Sequence, residues 1–264
     1  MLRNSNQLKG MAIHATDGEL GTVDELYFDD ESWGIRYLTV ETGGWLGGKD
    51  VLISPYSVNS TDWEGRRVNV SLTKKQIENS PSIDTHKPIS RQHEASYLGY
   101  YEYPYYWGGP YLWGSGYCPG SPVGNFATQQ KRTDALFGPS DFHLRSAEEV
   151  KKYHIEATDG EIGSVNGFVI DDEAWAIRYI EAVTSNWLPG KDVLFSPAWI
   201  KRVSWADSKV YVELTREAIK TCPEYSESKE ITRDYENAIY RHYGRPPYWL
   251  HEEAAQSLSS VSGG

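Results

Sequence analysis

From Arg67 the chain reads RVNVSLT, in which Val68, Val70 and Leu72 alternate with polar residues. This period of two belongs to a half-buried strand, one face on a core and the other in water. The same triplet returns as Val210, Val212 and Leu214, and a similar alternation runs through Leu26 and Phe28 and through Phe168 and Ile170. Further extended runs at Trp33–Val40, Lys49–Ser54, Tyr56–Trp63 and Arg67–Leu72 bring the expectation to about six short strands, separated by turns. The pattern then changes. Thr73 followed by Gln76 is a capping-box pair that opens a short helix stopped by Pro81. Ile231, Tyr235 and Ile239, spaced by four, predict a second helix that ends at Arg241 and His242, with Gly244 as its stop and Pro246-Pro247 beyond. The matching segment Ser90–Tyr100 carries Gly99 and predicts a weaker helix.

These patterns recur because the chain is duplicated. ATDGELG at Ala15–Gly21 returns as ATDGEIG at Ala157–Gly163, an offset of 142 residues (157 minus 15). Without a gap, the same offset places Asp29-Asp30-Glu31 on Asp171-Asp172-Glu173, Ile35-Arg36-Tyr37 on Ile177-Arg178-Tyr179, and GKDVL at Gly48 on GKDVL at Gly190. It carries Trp33, Trp45 and Trp63 onto Trp175, Trp187 and Trp205. ISRQHEASYLGYYEYPYYW, ending in Tyr106-Trp107, falls on ITRDYENAIYRHYGRPPYW, ending in Tyr248-Trp249. The expected organisation is therefore repeat 1 at 1–107, a Gly/Pro/aromatic-rich flexible linker at 108–143, repeat 2 at 144–250, and a frayed tail at 251–264. The Asp17-Gly18 dipeptide supplies the positive φ of a two-residue hairpin turn, so the duplicated motif is first of all architectural. Many short strands in so few residues favour closure into a small barrel, which removes exposed edges.

The polar leading segment, [AT]-x-DGE-[LI]-G-x-[VI], the acidic hairpin, Trp then IRY-[LI], the GKDVL-[IF]-SP strand and the closing VxVxLT resemble the PRC-barrel family. That family takes its name from the cytoplasmic domain of the photosynthetic reaction-centre H subunit and also closes a ribosome-maturation factor. The resemblance implies a mainly all-β protein, two tandem six-stranded barrels each followed by short helices. It implies an assembly or regulatory adaptor with no catalytic residues to carry across. Unlike the reaction-centre subunit, nothing ahead of Leu2 suits a membrane helix, and the partner of the first barrel is a second barrel rather than a different domain.

Composition narrows the function classes. Thirty-seven acidic against 26 basic side chains give a net charge of −11, which disfavours general nucleic-acid binding and anionic membrane surfaces. The opening residues lack the order of a signal peptide, and no window approaches a membrane span, so a cytoplasmic protein is expected. Cys118 and Cys222 show no CxxC spacing and read as two spare thiols in a reducing compartment.

The acidic triplets could hold a divalent cation, but calcium-loop spacing is missing and a solvated hairpin tip is an undemanding place for charge. None of the seven histidines (His14, His86, His93, His143, His154, His242 and His251) falls on another under the offset, and no GxSxG, Walker loop or GxGxxG opens a helix after a strand. No catalytic residue, metal or cofactor is expected. The aromatics are the remaining candidates. Trp33, Trp45, Trp63, Tyr106, Trp107, Trp175, Trp187, Trp205, Tyr248 and Trp249 either plug the barrel ends or act as exposed anchors for a protein partner, which could include a second copy of the chain. Each PYYW or PPYW hook is expected to dock on a barrel, its own or a neighbour's. The leading expectation is an interaction or scaffold module; an RNA-processing or ribosome-assembly accessory and a small-ligand or metal-binding stress protein are the alternatives.

Overall fold

A computed structural model describes residues 1–44, 46, 50–81, 89–114, 116–119, 142–184, 192–250 and 252. The first repeat contributes β1 (Leu2–Asn4), β2 (Ala12–Ala15), β3 (Gly18–Asp29), β4 (Ile35–Glu41), β5 (Asp50–Ile53), β6 (Val58–Asp62), β7 (Arg67–Val70), α1 (Lys74–Glu78) and α2 (Arg91–Tyr100). The second contributes β8 (Leu144–Ser146), α3 (Ala147–Val150), β9 (His154–Ala157), β10 (Gly160–Asp171), β11 (Ala176–Val183), β12 (Asp192–Phe195), β13 (Ile200–Ser204), β14 (Lys209–Val212), α4 (Arg216–Thr221) and α5 (Arg233–Tyr243). The strands form two seven-stranded sheets, with the orders β5-β4-β3-β2-β7-β6 and β12-β11-β10-β9-β14-β13.

Chain length forces each sheet to curl. β5 and β6 stand at opposite ends of their path, yet only Ser54 and the 3-10 turn Pro55–Ser57 join them. Six flat strands would separate the end strands by about 24 Å, whereas a link of this length reaches at most about 17 Å. The strand ends therefore come round toward each other, giving a barrel-like sheet. The seventh strand in each sheet was not expected: β8 pairs with β3, setting Ser146 against Tyr27 and Leu144 against Asp29, while β1 pairs with β10.

The chain divides into two compact units. The first comprises Met1, Arg3–Lys151 and Gly167–Arg178; the second comprises Leu2, Lys152–Asn166 and Tyr179–Gly264. Because β8 belongs to the sheet of β3, the first unit runs past His143 to Lys151.

The duplicated motif works differently from expectation. Ala15 pairs with Gly18, so the hairpin loop is Thr16-Asp17 and not Asp17-Gly18. Asp17 instead accepts a hydrogen bond from the first backbone N–H of α1, Lys74, at 2.9 Å, and Asp159 does the same for Arg216 of α4 at 2.7 Å. The last glycine of the motif is fixed by close approach: a Cβ on Gly21 would run into the carbonyl oxygen of Glu41, and one on Gly163 into that of Val183. The capping box of Thr73 and Gln76 forms as read, and α5 ends on Gly244 in the left-handed conformation at φ 62°.

The segment after the first hook is not a plain linker as far as Pro119. Trp113 is buried, its indole N–H donates to the Ala174 carbonyl at 2.7 Å, and Tyr111 and Gly114 form a small bridge. An aromatic side chain with a core to enter outweighs the glycines around it. The rest of that expected linker, 120–141, lies outside the described residues, as does most of the expected tail beyond Leu250.

Candidate functional site

The hooks and the tail helices that carry them form the candidate site. In the first unit β4 is buried along both faces, with only Glu41 exposed. One face meets the core through Ile35, Leu38 and Val40; Tyr37 meets Tyr97 of α2 edge-on at 5.2 Å. The Tyr97 hydroxyl donates to the Leu52 carbonyl at 2.8 Å and fastens α2 to β5.

Glu94 of α2, with no exposed surface, is the hub. Its Oε1 accepts from the Tyr37 hydroxyl at 3.0 Å and from the Tyr106 hydroxyl at 2.5 Å, while His143 Nε2 stands 2.9 Å from Oε2. Tyr106, the third residue of the PYYW hook, is thereby locked to the tail helix and the sheet together. Burial, with the Glu94 charge next, pushes the Tyr37 and Tyr106 hydroxyls well above the usual tyrosine range, so both stay protonated and donating.

Beneath the hook lies Arg36, 1% exposed, with its guanidinium 3.8 Å from the Tyr106 ring centroid and 4.7 Å from that of Trp113. Such desolvated cation–π contacts are the stronger kind, about 2 kcal/mol. Arg91 faces Trp107 at 4.7 Å and reaches toward Asp29 and Glu31.

The second unit repeats the lock. Tyr179 donates to Glu236 Oε1 at 2.8 Å and Tyr248 to the same oxygen at 3.1 Å. Oε2 is served by Arg233 at 3.1 Å, on the same helix. Arg233 is 54% exposed and lies 4.0 Å over Trp249. His242 and Tyr100, at equivalent positions, hydrogen-bond equivalent carbonyls, Ala218 at 2.7 Å and Gln76 at 2.8 Å, so both tail helices rest on the preceding short helix.

The acidic triplets are not the solvated tips expected. Asp29 is buried; its Oδ1 accepts from the Glu31 and Ser32 backbone, and its Oδ2 faces Arg36 at 3.5 Å. Burial alone would raise its pKa, but Arg36, the backbone donor and Arg91 outweigh it and hold it below the usual carboxylate range. Asp171 behaves likewise through Arg178, at 2.9 Å. Asp30 pairs with Arg145 at 2.7 Å, and only Glu31 and Glu173 project into water, at 76% and 87% exposure. A carboxylate that can satisfy its turn's backbone and an inward arginine belongs inside. Among the described residues no group of three or more His, Cys, Asp or Glu is placed to hold a metal ion.

This geometry sorts the predicted aromatics. Tyr106 and Trp175, each 3% exposed, are interior side chains and not surface anchors. Trp33 is half-buried and stacks on Phe28 at 5.0 Å; both it and Trp175 adopt positive φ at the tip of the acidic turn. Trp63 is half-buried with its indole donating to Asp172 at 2.7 Å, and Trp205 sits 6.1 Å from Tyr153. Trp107, Tyr248 and Trp249 are half-buried, while Trp45 and Trp187 lie outside the described residues. Each described hook docks on its own repeat.

The family model for the PRC-barrel domain matches residues 2–77. This segment is a PRC-barrel domain. The match ends within α1, so the PRC-barrel proper stops before α2, Glu94 and the hook. The second sheet repeats the strand order of the first, so the protein has two tandem barrel-like β domains with short helices after each. No curated protein matches the chain. No helix among the described residues is long and apolar enough to cross a membrane.

Sequence reading missed the roles of Glu94 and Glu236 and of Tyr37 and Tyr179, although the offset aligns all four positions. Tyrosine and glutamate recurring at both ends of a helix-bearing segment were the available signal. His143 had none, since it stands outside the repeat.

Proposed function

We propose that the protein is a non-enzymatic tandem PRC-barrel adaptor that docks a protein partner in the cytoplasm, using the second hook as its main contact. The observation that carries this reading is the Arg233–Trp249 pair: a guanidinium stacked on a tryptophan, half open to solvent, beside Tyr248 and the 50%-exposed Leu250. Arg, Trp and Tyr dominate the energy of protein interfaces, and a preorganised stack loses little entropy on docking. The lock on Glu236 holds this pair in place without consuming its outer face. The net charge of −11 speaks for a protein partner over nucleic acid.

Affinity capture of the tagged full chain from its native lysate, at low and moderate salt, tests the reading. A partner retained by the native chain and lost from Arg233→Ala/Trp249→Ala, with folding unchanged, is the expected result. Recovery of the bait alone, or retention by the double variant, contradicts it.

A further inference from the structure

The duplication makes Arg3 the counterpart of Arg145, and Asp30 that of Asp172. Arg145 has a carboxylate: its Nε donates to Asp30 Oδ2 at 2.7 Å. Arg3 has none. Asp172 Oδ2 accepts instead from the Trp63 indole, at 2.7 Å, and its Oδ1 lies 2.5 Å from the amino terminus. The Arg3 guanidinium is laid over the Trp63 ring, 5.4 Å from the centroid, and the acceptor that reaches it is the Met1 sulfur, at 3.0 Å. Its Nε is shut off from water and meets no acceptor. A thioether accepts weakly, whereas a guanidinium carries five N–H donors in a fork shaped for a carboxylate. The chain has 37 acidic side chains, yet among the described residues none is ion-paired with this arginine.

Arg3 stands in an open cleft of about 560 Å³ in the first unit. Tyr56, Trp63 and Trp175 give the cleft aromatic surface, and Asn59, Ser60 and Thr61 of β6 supply amide and hydroxyl groups. That size, with apolar walls and a few polar groups, suits a small organic molecule. The rim selects among anions. Asp172 and Glu173 stand on it, and the amino terminus, 2.5 and 3.5 Å from them, offsets one of their two charges. With a net charge of −11 on the whole chain, a dianion is repelled more strongly than a monoanion that one arginine can neutralise.

We infer that the cleft binds a small carboxylic acid with a single negative charge and a flat apolar ring, the carboxylate forked by Arg3 and the ring laid along the aromatic walls. Stacking on Trp63 holds the fork in place before the acid arrives, which spares the entropy of ordering it on binding. Arg145, whose fork is already occupied, offers no such site. The cleft is independent of the second hook.

Calorimetric titration of the full chain with 2-naphthoate tests the site. Binding at about millimolar or tighter is expected. Two changes each weaken it by about tenfold or more: 2-naphthamide keeps the ring and loses the charge, and Arg3→Met keeps the stem and loses the fork. Asn59→Trp, which fills the cleft from an exposed position, also weakens binding, while Arg145→Met leaves it unchanged; far-UV circular dichroism reports the folding of each variant. Absence of heat with 2-naphthoate, equal affinity for the amide, undiminished binding by Arg3→Met, or tighter binding of 2-naphthyl phosphate than of 2-naphthoate overturns the inference.

Discussion

The two hooks use the same three residues in the same order and end in different states. In the first, Tyr37, Glu94 and Tyr106 are buried, the partner arginine Arg91 is 4% exposed, and a histidine from outside the repeat stands on the second carboxylate oxygen. In the second, Tyr179 and Glu236 are buried, but Tyr248 and Trp249 are half-open and Arg233 lies at the surface. The sequence difference behind this is the segment C-terminal to the first hook. Trp113 of that segment packs against Arg36, next to Tyr106. A duplicated lock is therefore core in one copy and half-open in the other.

The largest effect is expected from Trp113→Ala. It removes a buried indole and uncovers Arg36, and a loss of about 3–5 kcal/mol in urea unfolding is expected. Trp249→Ala, at a half-open position, is expected to cost about 1–2 kcal/mol. Equal losses would show that the first hook is no more closed than the second.

Acid should act on both copies alike. Asp29 and Asp171 have lowered pKa values in the folded chain, so their contribution is present above the unfolded carboxylate pKa and disappears as pH falls through the folded values. Unfolding free energy should thus decline below about pH 4, and Asp29→Asn/Asp171→Asn should flatten that decline. A decline of unchanged steepness in the variant would show that these two carboxylates do not set the acid response.

The smallest effect probes the two hooks from the other side. Arg233→Ala should cost about 1 kcal/mol, since the arginine is 54% exposed although the Glu236 carboxylate it serves is buried. Arg91→Ala, which leaves Asp29 short of a buried partner, should cost about 2–3 kcal/mol by the same measurement. A loss at Arg233 as large as that at Arg91 would show the second lock to be as closed as the first.

Periodicity and the offset made the strands, the helices and the duplication legible, because each rests on local pattern: alternation at Val68–Leu72, caps at Thr73 and Gly244. What they could not convey was non-local closure. That β8 would join β3, that Asp29 would turn inward to Arg36, and that Trp113 would fill the first hook all depend on which chain segment covers which surface. The repeated spacing between Tyr37, Glu94 and Tyr106 was visible in the duplication, but only the fold shows that they meet at one oxygen. The acidic triplet illustrates the limit. Three carboxylates in a turn look solvated until one of them is seen to bind the turn's own backbone.

Whether the first lock is buried and the second open is read most directly by a pair of double-mutant cycles in urea unfolding, Glu94→Gln with Tyr106→Phe and Glu236→Gln with Tyr248→Phe. A coupling of about 2–3 kcal/mol is expected in the first, where the lock is buried, and about 1 kcal/mol or less in the second. Equal couplings, or a larger one in the second copy, would contradict the division into a core lock and a surface lock.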